Sequence, residues 1–183
     1  LQENTRMNSI KKFFLTLRNK HFLKDTRNRR STLNYSEVKS VGLIFYTQNE
    51  QMHLHINTFV NKMRKENKEV EALTFFERNH DNPYNFRYAF FTEKNIGWSG
   101  RIKSQEVENF IQKEFDYLYC IAVEEDLRFF EPILARSKAK CRIGNYQVQH
   151  ESFFELMVSL QQSQDIDILI TQMLHYTQAI CHN

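Results

Sequence analysis

Glycine and proline are scarce in this sequence, at four and two among 183 residues. That excludes collagen-like repeats, low-complexity tracts and long flexible linkers, which are built from those residues. It also removes the usual phosphate-binding loops, because backbone amides come close to a phosphate only where side chains are missing. Neither G-x-G-x-x-G nor a P-loop occurs anywhere in the chain, nor does the flavodoxin-type run of alternating Ser, Thr and Gly. Cysteine is sparse too: Cys120, Cys141 and Cys181 are odd in number and widely spaced. They form no Cys-x-x-Cys pair for zinc or thiol exchange, and they suit a reducing cytoplasm. The longest apolar runs, such as LYCIAV at 118–123, fall far short of the roughly 20 residues of a membrane span. FFLTL at 13–17 is too short for the apolar region of a signal peptide, and Arg18 interrupts it. A cytoplasmic protein with no cofactor and no metal is the expectation. Residues 1–6 precede Met7, and nothing below depends on them.

Charge is what the sequence has in an unusual arrangement. Residues 1–39 hold ten Lys or Arg against three Asp or Glu, while residues 40–183 hold fifteen against nineteen. A net charge of +3 therefore conceals a basic arm, 1–39, attached to a mildly acidic body, 40–183, that reads as a single domain. The arm segment KKFFLTLRNKHFLKDTRNRR, 11–30, interleaves eight cations with Phe and Leu. Ser9 suits a helix cap, and Ile10, Phe13, Phe14, Leu17 and His21 recur with the spacing of one helical face. Lys11, Lys12, Arg18 and Lys24 then fall mostly on the opposite, solvent side. Three readings of this basic helix compete: a helix docked on its own domain, an arm that contacts RNA or a ribosomal particle, and a helix that lies on an anionic membrane or a partner.

The body alternates strand and helix patterns. VGLIFYT (41–47) and DYLYCIAV (116–123) are unbroken apolar runs that suit interior parallel strands buried on both faces. VEALTFFE (70–77), RYAFF (87–91) and AKCRIGNY (139–146) read as further strands, and SFFELMVSL (152–160) as the last. Met52, Ile56, Phe59, Val60 and Met63 mark an amphipathic helix, Ser104 caps another, Pro132 opens a third, and a final helix follows Asp165. KNIGWSGRIK (94–103) reads as a hairpin or loop. The expected fold is α/β: a three-layer, open, mostly parallel sheet of five or six strands, Rossmann-like or flavodoxin-like, with a basic N-terminal helix.

Such sheets bind ligands beyond the carboxyl ends of their strands. After the first strand stands YTQNEQ, without glycine. After DYLYCIAV come Glu124, Glu125 and Asp126, which suit either a divalent ion or, more simply, the positive end of a following helix. His53 and His55 stand two apart on a helix and point away from each other, so they cannot share a metal. His80, Asp81 and His150 fall in loops, and no G-x-S-x-G nucleophile motif accompanies them. Trp98, beside Lys94, Arg101 and Lys103, has the composition to stack a base while cations hold its phosphates. Arg136, Lys138, Lys140 and Arg142 make a smaller basic cluster. If arm, cluster and Trp98 loop share one side, they form a continuous surface for an anion.

The succession VGLIFYT, WSGRIKSQEVENF, FDYLYCIA, ARSKAKCRIGNY, FFELMVSL and QMLHYTQAI after a basic arm resembles a bacterial family of small α/β proteins of no assigned function. The resemblance implies a bacterial, cytoplasmic protein and carries no activity. The stretch from FDYLYCIA to CRIGNY is also similar to a β-α-β segment of bacterial heptosyltransferases, whose two nucleotide-sugar domains are longer than this chain. The functional expectation is a non-enzymatic module binding a polyanion, structured RNA or a ribosomal particle, through Lys11, Lys12, Arg18, Lys20, Lys24, Arg27, Arg29 and Arg30, with Trp98 and Arg101 as further contacts. The alternatives are a small enzyme or ligand-binding domain using the acidic edge, and peripheral attachment to an anionic membrane.

Overall fold

The computed structural model describes residues 18–26, 30–46, 50–76, 88–97, 101–122, 127–160 and 165–180. Six strands form one open sheet: β1 (Ser40–Tyr46), β2 (Glu69–Phe76), β3 (Ala89–Thr92), β4 (Tyr117–Ile121), β5 (Cys141–Asn145) and β6 (Leu156–Val158). Their order is β3-β2-β1-β4-β5-β6 and every neighbouring pair is parallel. This is the strand order of dinucleotide-binding doubly wound sheets, so of the two expected variants the Rossmann-like one is realised. β1 and β4 are the central pair, in register from Val41 opposite Tyr117 to Phe45 opposite Ile121. They are interior because their side chains are apolar on both faces: Ile44, Leu118 and Cys120 join one core, while Leu43, Phe45, Tyr119 and Ile121 join the other.

Helices cover both faces. α2 (Glu50–Lys65) and α5 (Ile166–Gln178) close one, burying Met52, Ile56, Phe59, Val60 and Met63 from the former and Leu169 and Met173 from the latter. α3 (Gln105–Gln112), α4 (Glu131–Arg136) and α1, helical at residues 18–26, close the other through Val107, Phe110, Ile133, Leu134 and Leu23. The ends follow from local chemistry. The Ser104 hydroxyl accepts from the Val107 amide and the Asp165 carboxylate from the Asp167 amide, each satisfying a first-turn donor. α2 stops where Asn67 takes a left-handed conformation (φ 59°), with Lys68 N–H bonded to Met63 C=O and Asn67 N–H to Arg64 C=O.

Three expectations need correction. SFFELMVSL is strand only at Leu156–Val158; residues 148–153 make a 3₁₀ turn. His150 lies in that turn rather than in an open loop and is buried, 3.4 Å from a Glu131 oxygen. His21 does not face the body: its side chain is 73% exposed beside Asp25. The buried face of α1 is instead Asn19 and Leu23, with Phe22 and Thr26 half-buried, a face rotated from the one the phenylalanine spacing indicates.

Candidate anion-binding cleft

α1 is held to the body by polar as well as apolar contacts. Asn19 Nδ2 donates to Glu131 Oε2 (3.3 Å) at the start of α4, and Thr26 Oγ1 reaches the Ala135 carbonyl (3.5 Å) near its end. The two helices therefore run side by side in the same direction. Past α1, Ser31 N–H donates to the Lys140 carbonyl (3.0 Å). Arg30 ties the segment down further, donating to the Ser152 carbonyl (3.1 Å) and pairing with Glu155 (3.1 Å).

This docking turns Arg18 inward, although the helical spacing puts it on the solvent side. Arg18 is half-buried and lines a cavity of about 300 Å³ together with Arg101 and Arg136. The remaining walls are apolar: Phe22 from α1, Ile102 from the hairpin, Val107 and Ile111 from α3, and Pro132 from α4. Arg101 and Ile102 also border a second space of about 480 Å³, lined by Lys103, Ser104, Gln105 and Glu108. The hairpin that delivers Arg101 is closed by the Ile96–Ile102 bridge, by Gly97 N–H bonded to the Arg101 carbonyl (2.9 Å) and by Lys103 N–H bonded to the Asn95 carbonyl (2.7 Å). Ile102, buried, anchors it to the core.

Each guanidinium has a defined setting. Arg136 forms a fork with Glu108, Nη1 to Oε1 at 2.8 Å and Nη2 to Oε2 at 2.5 Å, and lies 5.7 Å from the centre of the Phe22 ring. The hydrogen bond from Arg136 holds the Glu108 carboxyl below the usual range despite its partial burial, with the charges of Arg136 and Arg101 acting in the same sense. At Arg18, burial first, then the charges of Arg136 and Arg101, disfavour the protonated form. Arg18 thus senses both other cations across a space with apolar walls, a setting that attracts an anion.

Of the residues singled out from the sequence, the structure brings Arg18 and Arg101 together, and adds Arg136 from the smaller basic cluster. Lys20 and Lys24 are exposed on α1, on the flank of the helix turned away from Arg18 and Phe22, since residues two apart on a helix point roughly 200° from each other. Arg30 is engaged internally, its side chain 14% exposed. The rest of the basic cluster disperses: Lys140 pairs with Asp116 (2.8 Å), and Arg142 is fully buried against Glu155. Lys11, Lys12, Arg27, Arg29 and Trp98 lie outside the described residues, as do Glu124, Glu125, Asp126, His80 and Asp81. Among the described residues no group of three or more His, Cys, Asp or Glu is arranged to hold a metal. His53 bonds Asn57 (2.7 Å) and His55 pairs with Asp167 (3.2 Å). Glu108, which steadies Arg136, reads from the sequence only as a helix-start acid; its ion-pair role depends on a partner far along the chain.

The customary crevice of this sheet order, beyond the carboxyl ends of β1 and β4, is flanked by packed rings. Tyr46 meets Phe75 edge-on (5.6 Å between centroids) and Phe130 at 4.4 Å, while Phe129 stacks on Phe75 at 4.4 Å. Phe91 packs at 5.1 Å from Phe75. These contacts join the ends of β1, β2 and β3 to the start of α4; the residues that follow β1 and β4, 47–49 and 123–126, lie outside the described residues. No helix among the described residues is long and apolar enough to cross a membrane. A family model, described as a family of unknown function (DUF6913), matches residues 11–180. No curated protein and no solved structure matches the chain.

Proposed function

The chain belongs to the family of unknown function DUF6913, and from that premise we propose that it is a non-enzymatic polyanion-binding module that contacts structured RNA, free or in a ribosomal particle, through α1 and the arginine cleft. The observation that carries this reading is the convergence of Arg18, Arg101 and Arg136 on one cavity, with Lys20 and Lys24 exposed elsewhere on the same helix. Guanidiniums match phosphate oxygens with paired donors, and neutralising phosphates releases counterions, which drives binding without base contacts. In sequence Lys11, Lys12, Arg27 and Arg29 extend the same basic segment. What favours RNA over a lipid surface is the orientation of α1. A membrane-bound amphipathic helix offers its apolar face outward, whereas Leu23 is spent in the core and Phe22 lines the cleft.

The test is binding of a structured RNA and of anionic vesicles at one ionic strength, followed by a salt titration of the RNA complex. With about four phosphates contacted, the log-log slope is expected near −3, at roughly −0.7 to −0.9 per contact. The triple substitution Lys20→Gln, Lys24→Gln, Arg101→Gln flattens it by about 2. Preference for vesicles, or RNA binding insensitive to salt, would refute the reading.

A further inference from the structure

We propose that the cleft between α1, α3 and α4 recognises a terminal phosphate monoester on a nucleotide, so that the protein prefers a phosphorylated RNA end to an internal phosphodiester. This rests on the polyanion-binding reading and narrows it to one ligand chemistry. The first argument is charge. A phosphodiester carries one negative charge and a monoester up to two near neutral pH. Each negative charge is attracted by all three guanidiniums, so the Coulombic gain nearly doubles for the monoester. Seating that anion also offsets what disfavours the protonated form of Arg18, burial first and then the charges of Arg136 and Arg101.

The second argument is preorganisation. Glu108 spends both oxygens on Arg136, fixing that guanidinium beside Phe22. Among the described residues Glu108 is the sole carboxylate lining either space, and it stands at the second. A cation held in place by a partner that does not enter the arginine cavity loses little freedom when a phosphate arrives.

The third argument is size and lining. About 300 Å³ with walls of Ile102, Val107, Ile111 and Pro132 is at the lower limit of ligand sites, room for one nucleotide and not for a duplex. The adjoining space, bordered by Lys103, Ser104 and Gln105 and sharing Arg101, is polar and gives the following nucleotides a way out. A free nucleoside monophosphate carries the same chemistry as an RNA end, so the experiment must separate them.

That experiment titrates the full chain with one short single-stranded RNA bearing a 5′-phosphate, a 3′-phosphate or hydroxyls at both ends, and with a nucleoside monophosphate, all at one ionic strength. A phosphorylated end is expected to tighten binding about tenfold. Arg101→Gln, at the exposed mouth of the cleft, removes that ratio. Lys20→Gln with Lys24→Gln weakens every RNA alike and preserves it. Equal affinity for phosphorylated and hydroxyl ends overturns the inference and leaves the polyanion reading standing. If no RNA binds, the polyanion reading falls and the nucleoside monophosphate decides the cleft alone. Saturable binding abolished by Arg101→Gln then supports a monoester site supplied by free nucleotide, and absence of binding overturns it.

Discussion

Replacing Glu155 with alanine is expected to destabilise the fold by about 3 to 5 kcal/mol, a large part of the stability of an ordinary domain. The magnitude follows from what the carboxylate holds. Its Oε2 accepts from the Arg142 amide (2.8 Å) and Nε (3.2 Å), and its Oε1 from Arg142 Nη2 (3.1 Å) and Arg30 Nη1 (3.1 Å). Arg142 is 0% exposed, and its other bond, Nη1 to the Leu134 carbonyl at 2.8 Å, cannot neutralise its charge. Without Glu155 a full positive charge remains in the core. Arginine cannot escape by losing its proton near neutral pH, so the penalty is realised as unfolding. For a chain of this size the melting temperature should drop by roughly 6 to 20 °C. Urea unfolding followed by circular dichroism, alongside thermal melts, gives the number. Two controls sharpen it. Lys113→Met, which breaks a half-exposed ion pair with Glu71, should cost at most about 1 kcal/mol. The double substitution Arg142→Met, Glu155→Leu should be more stable than Glu155→Ala, because the fully buried charge of Arg142 goes with its partner and only Arg30, which keeps its bond to the Ser152 carbonyl, is left unpaired. A loss below about 1 kcal/mol for Glu155→Ala would refute the argument that this pair is buried and mutually dependent.

Asp116 links the amino ends of β1 and β5 by accepting from the Lys39 and Ser40 amides (2.9 and 3.0 Å) and from Lys140 Nζ (2.8 Å). Burial alone would raise its carboxyl, but the Lys140 and amide hydrogen bonds prevail and hold it below the usual range. Its contribution is therefore complete above the unfolded carboxyl value of about 4 and is lost as pH falls through the depressed folded value. Melting temperature against pH should thus fall less steeply below about pH 4 in Asp116→Asn than in the parent, and parallel curves would refute the assignment. A Cβ placed at Gly144 overlaps the Phe154 ring, so Gly144→Ala should cost about 1 to 3 kcal/mol and be partly rescued by Phe154→Leu. Equal stability of Gly144→Ala and the parent in urea would refute that contact.

The sheet was legible because burial on both faces leaves an uninterrupted apolar run, and β1 and β4 each have one. The caps at Ser104 and Asp165 were legible for a similarly local reason: a short polar side chain directly precedes an apolar-periodic segment. α1 was misread where polar residues enter the interface. Asn19 and Thr26 bond Glu131 and the Ala135 carbonyl, and apolar periodicity cannot count a buried face that is partly amide and hydroxyl. Arg142 reads as one member of a basic cluster, yet β5, covered on both faces, buries its first four positions, and the pairing with Glu155 supplies the opposite charge that makes this tolerable. The arginine cleft joins an arm, the returning limb of a hairpin and a helix end, so its members were visible singly while their meeting depended on the fold.

One wall of the cleft is α1, and α1 is a segment leaning on the body rather than a crossover within the sheet. Affinity at such a site is a product of two equilibria: the intrinsic grip on the phosphate, and the fraction of molecules whose helix is seated. The same relation works in reverse, since an occupant that touches both Arg18 and Arg101 shifts the balance toward the seated helix, acting as a clasp between two parts of one chain. Changes at Asn19, Thr26 or Arg30, none of which lines the cleft, then tune binding without touching the ligand. Hydrogen exchange in α1 would register occupancy as slowed opening of that helix.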